Sequence, residues 1–275
     1  MAVLSAWRLL FRASALLALI AGLLLFAGAT RTDDYFSWTI EPAQTAAFLG
    51  ATYWSAAVLF GWASAQRSWE GMRIAAFPEV TVAVLLLLAT YMHLDKFHSD
   101  LFGYFWVAIY SVVAPVLIYL LAATRTGGLG SESADRLPIP RWVQVLLALQ
   151  AATFAVYGAS LFIAPSGVDA AWPWPLTPLT ARAIGAFLLG LGLAAVIALR
   201  ANSLRRFRGA SLTYGVLGAL QLLGAALHST DFRDGVSLPL YVAFFATVLA
   251  VGACGSLLGR EDQLSRSRSA LSGSK

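Results

Sequence analysis

Residues 80–93 read VTVAVLLLLATYMH, with no charged side chain before the final histidine. This run is the centre of an apolar segment, residues 74–94, which is long enough to cross a bilayer, since a transmembrane helix needs about 20 predominantly apolar residues. The sequence therefore predicts an all-α membrane protein of eight transmembrane helices. The seven other segments of this kind are residues 9–30, 45–65, 102–123, 142–164, 181–200, 210–229 and 238–258.

The composition places the chain in a membrane rather than in water. Of its 275 residues, 59% are hydrophobic and only 12% are charged, and the mean hydropathy is +0.73. A soluble domain carries roughly 25% charged residues. Each segment must satisfy its own backbone hydrogen bonds inside the bilayer, and the segments are about twice as long as the strands of a membrane barrel. Helices are therefore the expected structure.

The basic charge of the chain lies mostly on one side of the predicted membrane. The net charge is +5 and the pI is about 9.6. All but four of the 19 Lys and Arg residues fall on the same side as the N-terminus. Because short cytoplasmic loops collect Lys and Arg, both termini are predicted to be cytoplasmic, and the basic pI needs no nucleic-acid partner. The four exceptions, on an otherwise acidic outer side, are Arg31, Lys96, Arg182 and Arg233.

The first apolar segment has features of a secretory signal peptide. Arg8 and Arg12 lie at its start and the small residues 27–29 end it. The apolar run is long for a signal peptide, and the segment 142–164 repeats part of it, so we expect a retained helix. The single cysteine, Cys254, excludes a disulfide framework within one chain and is interpreted as a core residue.

The two halves of the chain are similar to each other. Residues 45–116 align with residues 180–251 without a gap, at a constant offset of 135. Since each half holds an even number of helices, both copies would enter the membrane in the same orientation. The sequence therefore predicts two parallel four-helix repeats. The matches that carry the alignment are Thr45/Thr180, Ser68/Ser203, Arg73/Arg208, His93/His228 and Phe97/Phe232.

The longest polar connection on the inner side marks the boundary between the halves. Residues 124–140 are rich in Gly and Ser, as linkers are. The predicted organisation is a first four-helix repeat (1–123), a cytoplasmic linker (124–140), a second four-helix repeat (141–259) and a disordered cytoplasmic tail (260–275).

Histidines and aspartates form the main group of candidate ligands. His93 and His228 are matched residues at the outer ends of the third and seventh helices, and acidic residues follow each. Two imidazoles at one depth beside carboxylates could hold a divalent metal, a haem iron or protons. A histidine in the last turn of a helix also interacts well with the helix dipole without any ligand. The candidate ligand or metal residues are His93, His228, Asp95, His98 and Asp231, and the cofactor stays unknown.

Aromatic and proline residues precede the second and sixth helices, as FSWTIEP at 36–42 and WPWPLTPLT at 172–180. Tryptophan is common at the headgroup level, so these loops are interpreted as interfacial anchors or as a lid over an outward-facing pocket. Arg182 is expected to pair with Asp231, Asp234 or Asp169, or else to bind an anion. The candidate pocket or anchor residues are Trp38, Trp172, Trp174 and Arg182.

One acidic residue stands in the third segment. Glu79 follows Pro78 at the predicted inner end of that helix, close to Arg73. The carboxylate is expected to pair or to extend towards the inner surface. The alternative is a carboxylate that couples to protons.

Two motifs suggest relatives but no chemistry. YMHLDKFH (91–98) and WPWPLTPLTAR (172–182) resemble a set of uncharacterised bacterial multi-pass membrane proteins from high-GC genomes. The resemblance would cover most of the chain. It implies a bacterial plasma membrane location and carries no established activity.

The sequence favours a function without soluble-type catalysis. It contains no Walker loop, HExxH, GxSxG with partners or CxxC. The leading hypothesis is a non-enzymatic module that binds or transports a small molecule or lipid at an outward-facing site between the repeats. The alternatives are an accessory or scaffold subunit of a larger membrane complex, and a haem- or metal-binding redox protein. The expected partners are the lipid bilayer and either a membrane complex or a second copy of the chain.

Overall fold

Eight long helices carry all of the apolar segments in the computed structural model of the chain. The structure describes residues 2–125, 137–235 and 237–272; the side chains of Arg125, Asp169 and residues after 258 lie outside the description. The helices are α1 Ala2–Phe26, α2 Ala43–Ser64, α3 Trp69–Met92, α4 Leu101–Arg125, α5 Arg141–Ile163, α6 Pro178–Ala201, α7 Leu204–Leu227 and α8 Ser237–Ser272.

The prediction of an all-helical chain with eight apolar helices is confirmed. Each of the eight is long and apolar enough to cross a membrane, and in α8 this portion is Ser237–Leu258. The described residues contain no strand. By length and composition, the chain is a multi-pass membrane protein.

Three helices begin five to seven residues earlier than the sequence predicts. The predicted starts at residues 9, 74 and 210 become Ala2, Trp69 and Leu204. Within their first two turns these helices carry charged and aromatic side chains, such as Trp7 and Arg8 of α1, which lower the local hydropathy. For α3 the start is set by Ser68, whose side chain accepts a hydrogen bond from the backbone N–H of Gly71.

The helices pack in a small number of extensive pairs. α1 packs along α2 and α5 packs along α6. α2 then contacts α7, and α3 contacts α6, so both contacts join the two halves of the chain. α8 lies closely along α7, whereas α4 makes fewer contacts with α3. The four helices α2, α3, α6 and α7 therefore form the centre, and α1, α4, α5 and α8 lie outside them.

Glycines permit the close approach of α7 and α8. A Cβ on Gly252 would lie 2.6 Å from the Gly215 Cα, and a Cβ on Gly218 would lie 2.6 Å from the Leu249 backbone nitrogen. Small residues at a helix interface allow this backbone contact, which supplies van der Waals energy in a bilayer where the hydrophobic effect does not. On α3, the positions matched to Gly215 and Gly218 are occupied by Val80 and Ala83, which carry larger side chains.

A buried polar network joins α2, α7 and α8. The side-chain amide of Gln221 donates to the Phe48 carbonyl oxygen at 3.1 Å, and its oxygen accepts from the Tyr241 hydroxyl at 2.6 Å. Gln44 donates to the same Tyr241 oxygen at 3.5 Å. Hydrogen bonds between helices hold polar side chains that the bilayer would otherwise penalise.

Two predicted segments fall largely outside the description. Residues 126–136 of the predicted linker are not among the described residues. The α8 backbone is helical through Ser272, where the sequence predicts a disordered tail. Because side chains beyond residue 258 are not described, no contact tests that prediction.

The α7–α8 contact can be tested with Gly252→Ala. The added methyl group would meet the backbone of α7, which cannot move as a flexible side chain can, so we expect a loss of about 1–3 kcal/mol in stability. The measurement is the midpoint of thermal unfolding in detergent. Gly61→Ala is the control, because nothing lies within 4 Å of its Cβ position. A Gly252→Ala midpoint equal to that of the control would contradict close backbone contact.

Candidate functional site

His93 lies where α3 ends and contacts the other half of the chain. Its Nε2 is 2.8 Å from an Arg182 guanidinium nitrogen at the start of α6. Arginine can only donate, so the neutral His93 ring accepts this hydrogen bond. Burial lowers the pKa of His93, and the positive charges of Arg182 and Lys96 lower it further, while Asp95 raises it. Arg182 therefore binds His93. The predicted pairing of Arg182 with an aspartate stays a prediction, since the Asp169 side chain lies outside the description.

His98 holds the loop that precedes α2. Its Nδ1 lies 3.0 Å from the Phe36 carbonyl oxygen, and its Nε2 lies 3.2 Å from the Thr39 hydroxyl. Its backbone N–H donates to the Ser37 carbonyl oxygen at 2.9 Å. Both ring nitrogens are thus engaged with residues of one loop.

Asp231 caps a helix of the opposite half. Its carboxylate accepts a hydrogen bond of 2.8 Å from the backbone N–H of Gln44, in the first turn of α2. This position satisfies a free N–H group and places negative charge at the positive end of the helix dipole. His228 ends α7 as His93 ends α3, and its backbone N–H donates to the Gly224 carbonyl.

The remaining predicted ligand is exposed. Asp95 pairs with Lys96 at 3.0 Å, and this hydrogen bond lowers the pKa of the Asp95 carboxyl group. Across the described residues, no three His, Cys, Asp or Glu side chains are grouped closely enough to hold a metal ion. The structure therefore gives individual structural partners to His93, His98 and Asp231, and the metal or haem site stays a prediction.

The three predicted anchor tryptophans are buried in aromatic clusters. Trp38 is 3% exposed and packs edge-to-face against Phe97 and Trp106. Trp172 is 6% exposed, and Trp174 is fully buried. The Trp174 indole N–H donates to the Thr45 hydroxyl on α2 at 2.9 Å. These loops fold over the ends of the helices as part of the core.

A large cavity lies deeper in the helical bundle. Its volume is about 410 Å³, within the range of roughly 300–1,000 Å³ found for small-molecule pockets. Its walls come from α1, α2, α3 and α4, with contributions from α6 and α7, and from residues 35–37 of the outer loop. The walls are mostly aliphatic and aromatic.

The cavity borders the surface between α1 and α4. These two helices are joined near one end by a hydrogen bond of 2.9 Å from the Trp7 indole to the Thr124 hydroxyl. Towards the other end, Ile20 of α1 and Phe105 of α4 both line the cavity and are about half exposed, at 49% and 55%. The exposed surface there is apolar, so the cavity borders the apolar outer surface of the bundle at α1 and α4.

Glu79 is the one acidic residue among the cavity walls. It is 6% exposed, and one of its carboxyl oxygens lies 2.5 Å from the Ser14 hydroxyl, which donates to it. The other oxygen is buried with no hydrogen-bond partner. Since α3 begins at Trp69, Glu79 lies ~15 Å along the helix, at a rise of about 1.5 Å per residue.

Glu79 is hydrogen-bonded to Ser14 rather than paired with the nearby Arg73. Arg73 pairs instead with Glu70, one helical turn before it, at 3.4 Å. The reason is the early start of α3, which leaves Arg73 near the inner surface and carries Glu79 into the membrane. An ionised carboxylate at this depth is costly unless it has a cationic or hydrogen-bonding partner.

Tyrosine hydroxyls provide most of the other polar contacts of the cavity. Tyr53 and Tyr110 form a hydrogen bond of 3.1 Å between α2 and α4. The Tyr214 hydroxyl is buried without a hydrogen-bond partner, and Tyr214 lines the same cavity as Glu79. Tyr214 occupies the position matched to Glu79 by the offset of 135. Glu79 and Tyr214, which both line the cavity, therefore each carry a buried polar atom with no protein partner.

The sequence marks Glu79 as unusual but does not reveal the cavity. The useful signal is a single acidic residue within the apolar segment 74–94. Ser14 and the tyrosines give no sequence signal of their own, because they become polar groups of a site only when the helices pack.

Comparisons of the chain with protein-family models, curated proteins and solved structures find no match. The resemblance to bacterial multi-pass membrane proteins stays a prediction. Function is therefore inferred from the residues of the chain and their contacts.

The His93 contact predicts a pH-dependent stability. Folded His93 binds a proton less readily than the unfolded chain, whose histidine pKa is about 6.5. The folding stability that this lowered pKa contributes is fully present above about pH 6.5, and it is lost as the pH falls towards the pKa of folded His93. We expect the thermal midpoint to fall between pH 7.5 and 5.5.

His93→Gln should make that pH dependence shallower, because the titrating acceptor of the Arg182 hydrogen bond is gone. His228→Gln, at the matched position, is the control and should retain the wild-type slope. Equal slopes for the wild type and His93→Gln would contradict this assignment.

Proposed function

We propose that the protein is a non-enzymatic membrane module that binds or transports a small apolar molecule or lipid. The observation that carries this proposal is the cavity of about 410 Å³ within the apolar helices, with its single carboxyl group at Glu79. Binding sites of this kind combine an apolar wall with a few polar groups that orient the ligand. The proposed site lies deeper than the outer-face residues favoured by the sequence, and it still involves helices of both halves.

The chemistry of the walls suggests the class of ligand. The apolar part of the cavity suits a hydrocarbon chain or ring system. The Glu79 oxygen that lacks a protein partner can accept a hydrogen bond, and Tyr214 can donate or accept one. The proposed ligand is therefore an amphiphile with one donor group, and a cationic amine would offset a charged carboxylate.

The two parallel four-helix repeats are part of this proposal. Support comes from matched helix contacts, since α1–α2 corresponds to α5–α6 and α2–α7 corresponds to α6–α3. The loop contacts also match: the His98 N–H donates to the Ser37 carbonyl, and the Arg233 N–H donates to the Pro173 carbonyl. In the proposed arrangement the first repeat holds the cavity, and the second supports it through α6 and α7.

The proposed membrane orientation keeps both termini in the cytoplasm of a bacterial cell. It is supported by the concentration of Arg and Lys at the end of the bundle where α1, α3, α5 and α7 begin. A proposed lateral opening of the cavity between α1 and α4 would then face the outer half of the bilayer.

Filling the cavity should remove bound ligand. Ala56 lines the cavity on α2 and is half-buried, so Ala56→Phe introduces a ring into the space. We expect native mass spectrometry of protein extracted with its lipids to show less bound small molecule. Ala152→Phe is the matched control, because Ala152 is exposed on α5, which does not line the cavity. Equal occupancy in the two variants would count against the cavity as the binding site.

Glu79 should select the polar group of the ligand. In nanodiscs, we expect octadecylamine to raise the thermal midpoint of the wild type more than octadecanol does, because the amine can donate to and neutralise the carboxylate. Glu79→Gln should remove the difference between the two probes. Glu70→Gln, in the first turn of the same helix, is the control. If Glu79→Gln retains the full difference, the carboxyl group does not contact the ligand.

A further inference from the structure

A second pocket lies at the inner end of the bundle, where the two halves meet. It has a volume of about 330 Å³ and is formed by the end of α2, the turn before α3 and the first turns of α7. Its lining includes four arginines, Arg67, Arg205, Arg206 and Arg208. We name this pocket the basic cleft.

One arginine of the basic cleft is held in place by an ion pair. Glu70 pairs with Arg206 at 3.1 Å and with Arg73 at 3.4 Å, so one carboxylate serves two guanidinium groups. The Arg206 side chain is only 12% exposed. A nearly buried guanidinium, held by an ion pair, gives one wall of the cleft N–H donors that are fixed in position.

The backbone adds to the same potential. α3 begins at Trp69 and α7 begins at Leu204, so the N-termini of both helices point to this end of the bundle. Each N-terminus carries a partial positive charge and N–H groups suited to anions. At the start of α3, the Ser68 hydroxyl oxygen accepts a hydrogen bond from the Gly71 N–H, and both residues line the cleft.

We propose that the basic cleft binds the phosphate group of an anionic lipid in the inner half of the bilayer. Guanidinium groups match phosphate oxygens with paired hydrogen bonds, and basic pockets between membrane helices on the cytoplasmic side suit lipid headgroups. The half-buried Trp62 indole forms an apolar wall beside the arginines. This wall can contact the lipid hydrocarbon next to the phosphate. Inorganic phosphate has no such hydrocarbon.

This inference is independent of the proposed function. The basic cleft lies at the inner end of α2 and α7, and its lining shares no residue with the cavity that contains Glu79. Its proposed ligand is an anion, whereas the Glu79 cavity accepts an apolar molecule with a donor group.

The test compares two double variants that lose the same charge. Arg67→Gln with Arg205→Gln removes two arginines of the basic cleft and leaves the Arg206–Glu70 ion pair in place. Arg12→Gln with Arg141→Gln removes two exposed arginines that do not line the cleft. The full chain is placed in nanodiscs of phosphatidylcholine with or without phosphatidylglycerol, and bound phosphatidylglycerol is counted by native mass spectrometry.

We expect the wild type and the control to retain phosphatidylglycerol, and the cleft variant to bind it about tenfold more weakly. Retention should fall as salt is raised, since salt screens the attraction. Inorganic phosphate at about 10 mM, an ordinary buffer concentration, should not raise the midpoint of thermal unfolding. Equal retention by the two double variants would overturn the proposal. A shift by inorganic phosphate without phosphatidylglycerol retention would also overturn it and assign the cleft to a soluble phosphate.

Discussion

The bilayer interior supplies no water, so every polar group within it must find a partner in the protein. This constraint gives the backbone its eight helices and also governs the side chains. Thr52 and Thr90 return their hydroxyl groups to carbonyls of their own helices, at 2.8 and 2.7 Å. Gln221 joins three helices through hydrogen bonds. Against this background, the second oxygen of Glu79 is conspicuous, because it is buried in the membrane with no protein partner.

The helices could be predicted from the sequence because hydropathy measures the property that places them in a bilayer. The starts of α1, α3 and α7 could not, because the charged and aromatic residues in their first two turns lower the local hydropathy. That error had a consequence for function. With α3 starting at residue 74, Glu79 belongs to the helix end and pairs with surface charge; with the start at Trp69 it lies in the interior.

The candidate site was harder to predict than the fold. The sequence indicates histidine and aspartate as candidate ligands. In the structure, His98 instead hydrogen-bonds to the loop before α2, and Asp231 caps the start of α2. The cavity depends instead on how far α4 stands from its neighbours. Glycines bring α8 close to α7, and Val80 and Ala83 stand at the corresponding positions of α3. A single sequence does not reveal which of two similar helix pairs leaves a space between them.

The proposed lateral opening of the cavity between α1 and α4 would change how the affinity for a ligand arises. A molecule that enters from the bilayer has already left water, so the hydrophobic effect has acted before it meets the cavity. Membrane lipid competes for the same space at very high local abundance. Selection at the proposed site would therefore come from two features of the protein, namely the shape of the cavity wall and the hydrogen bonds offered by Glu79 and Tyr214. Discrimination between ligands would depend on these polar groups more than on the extent of the apolar surface.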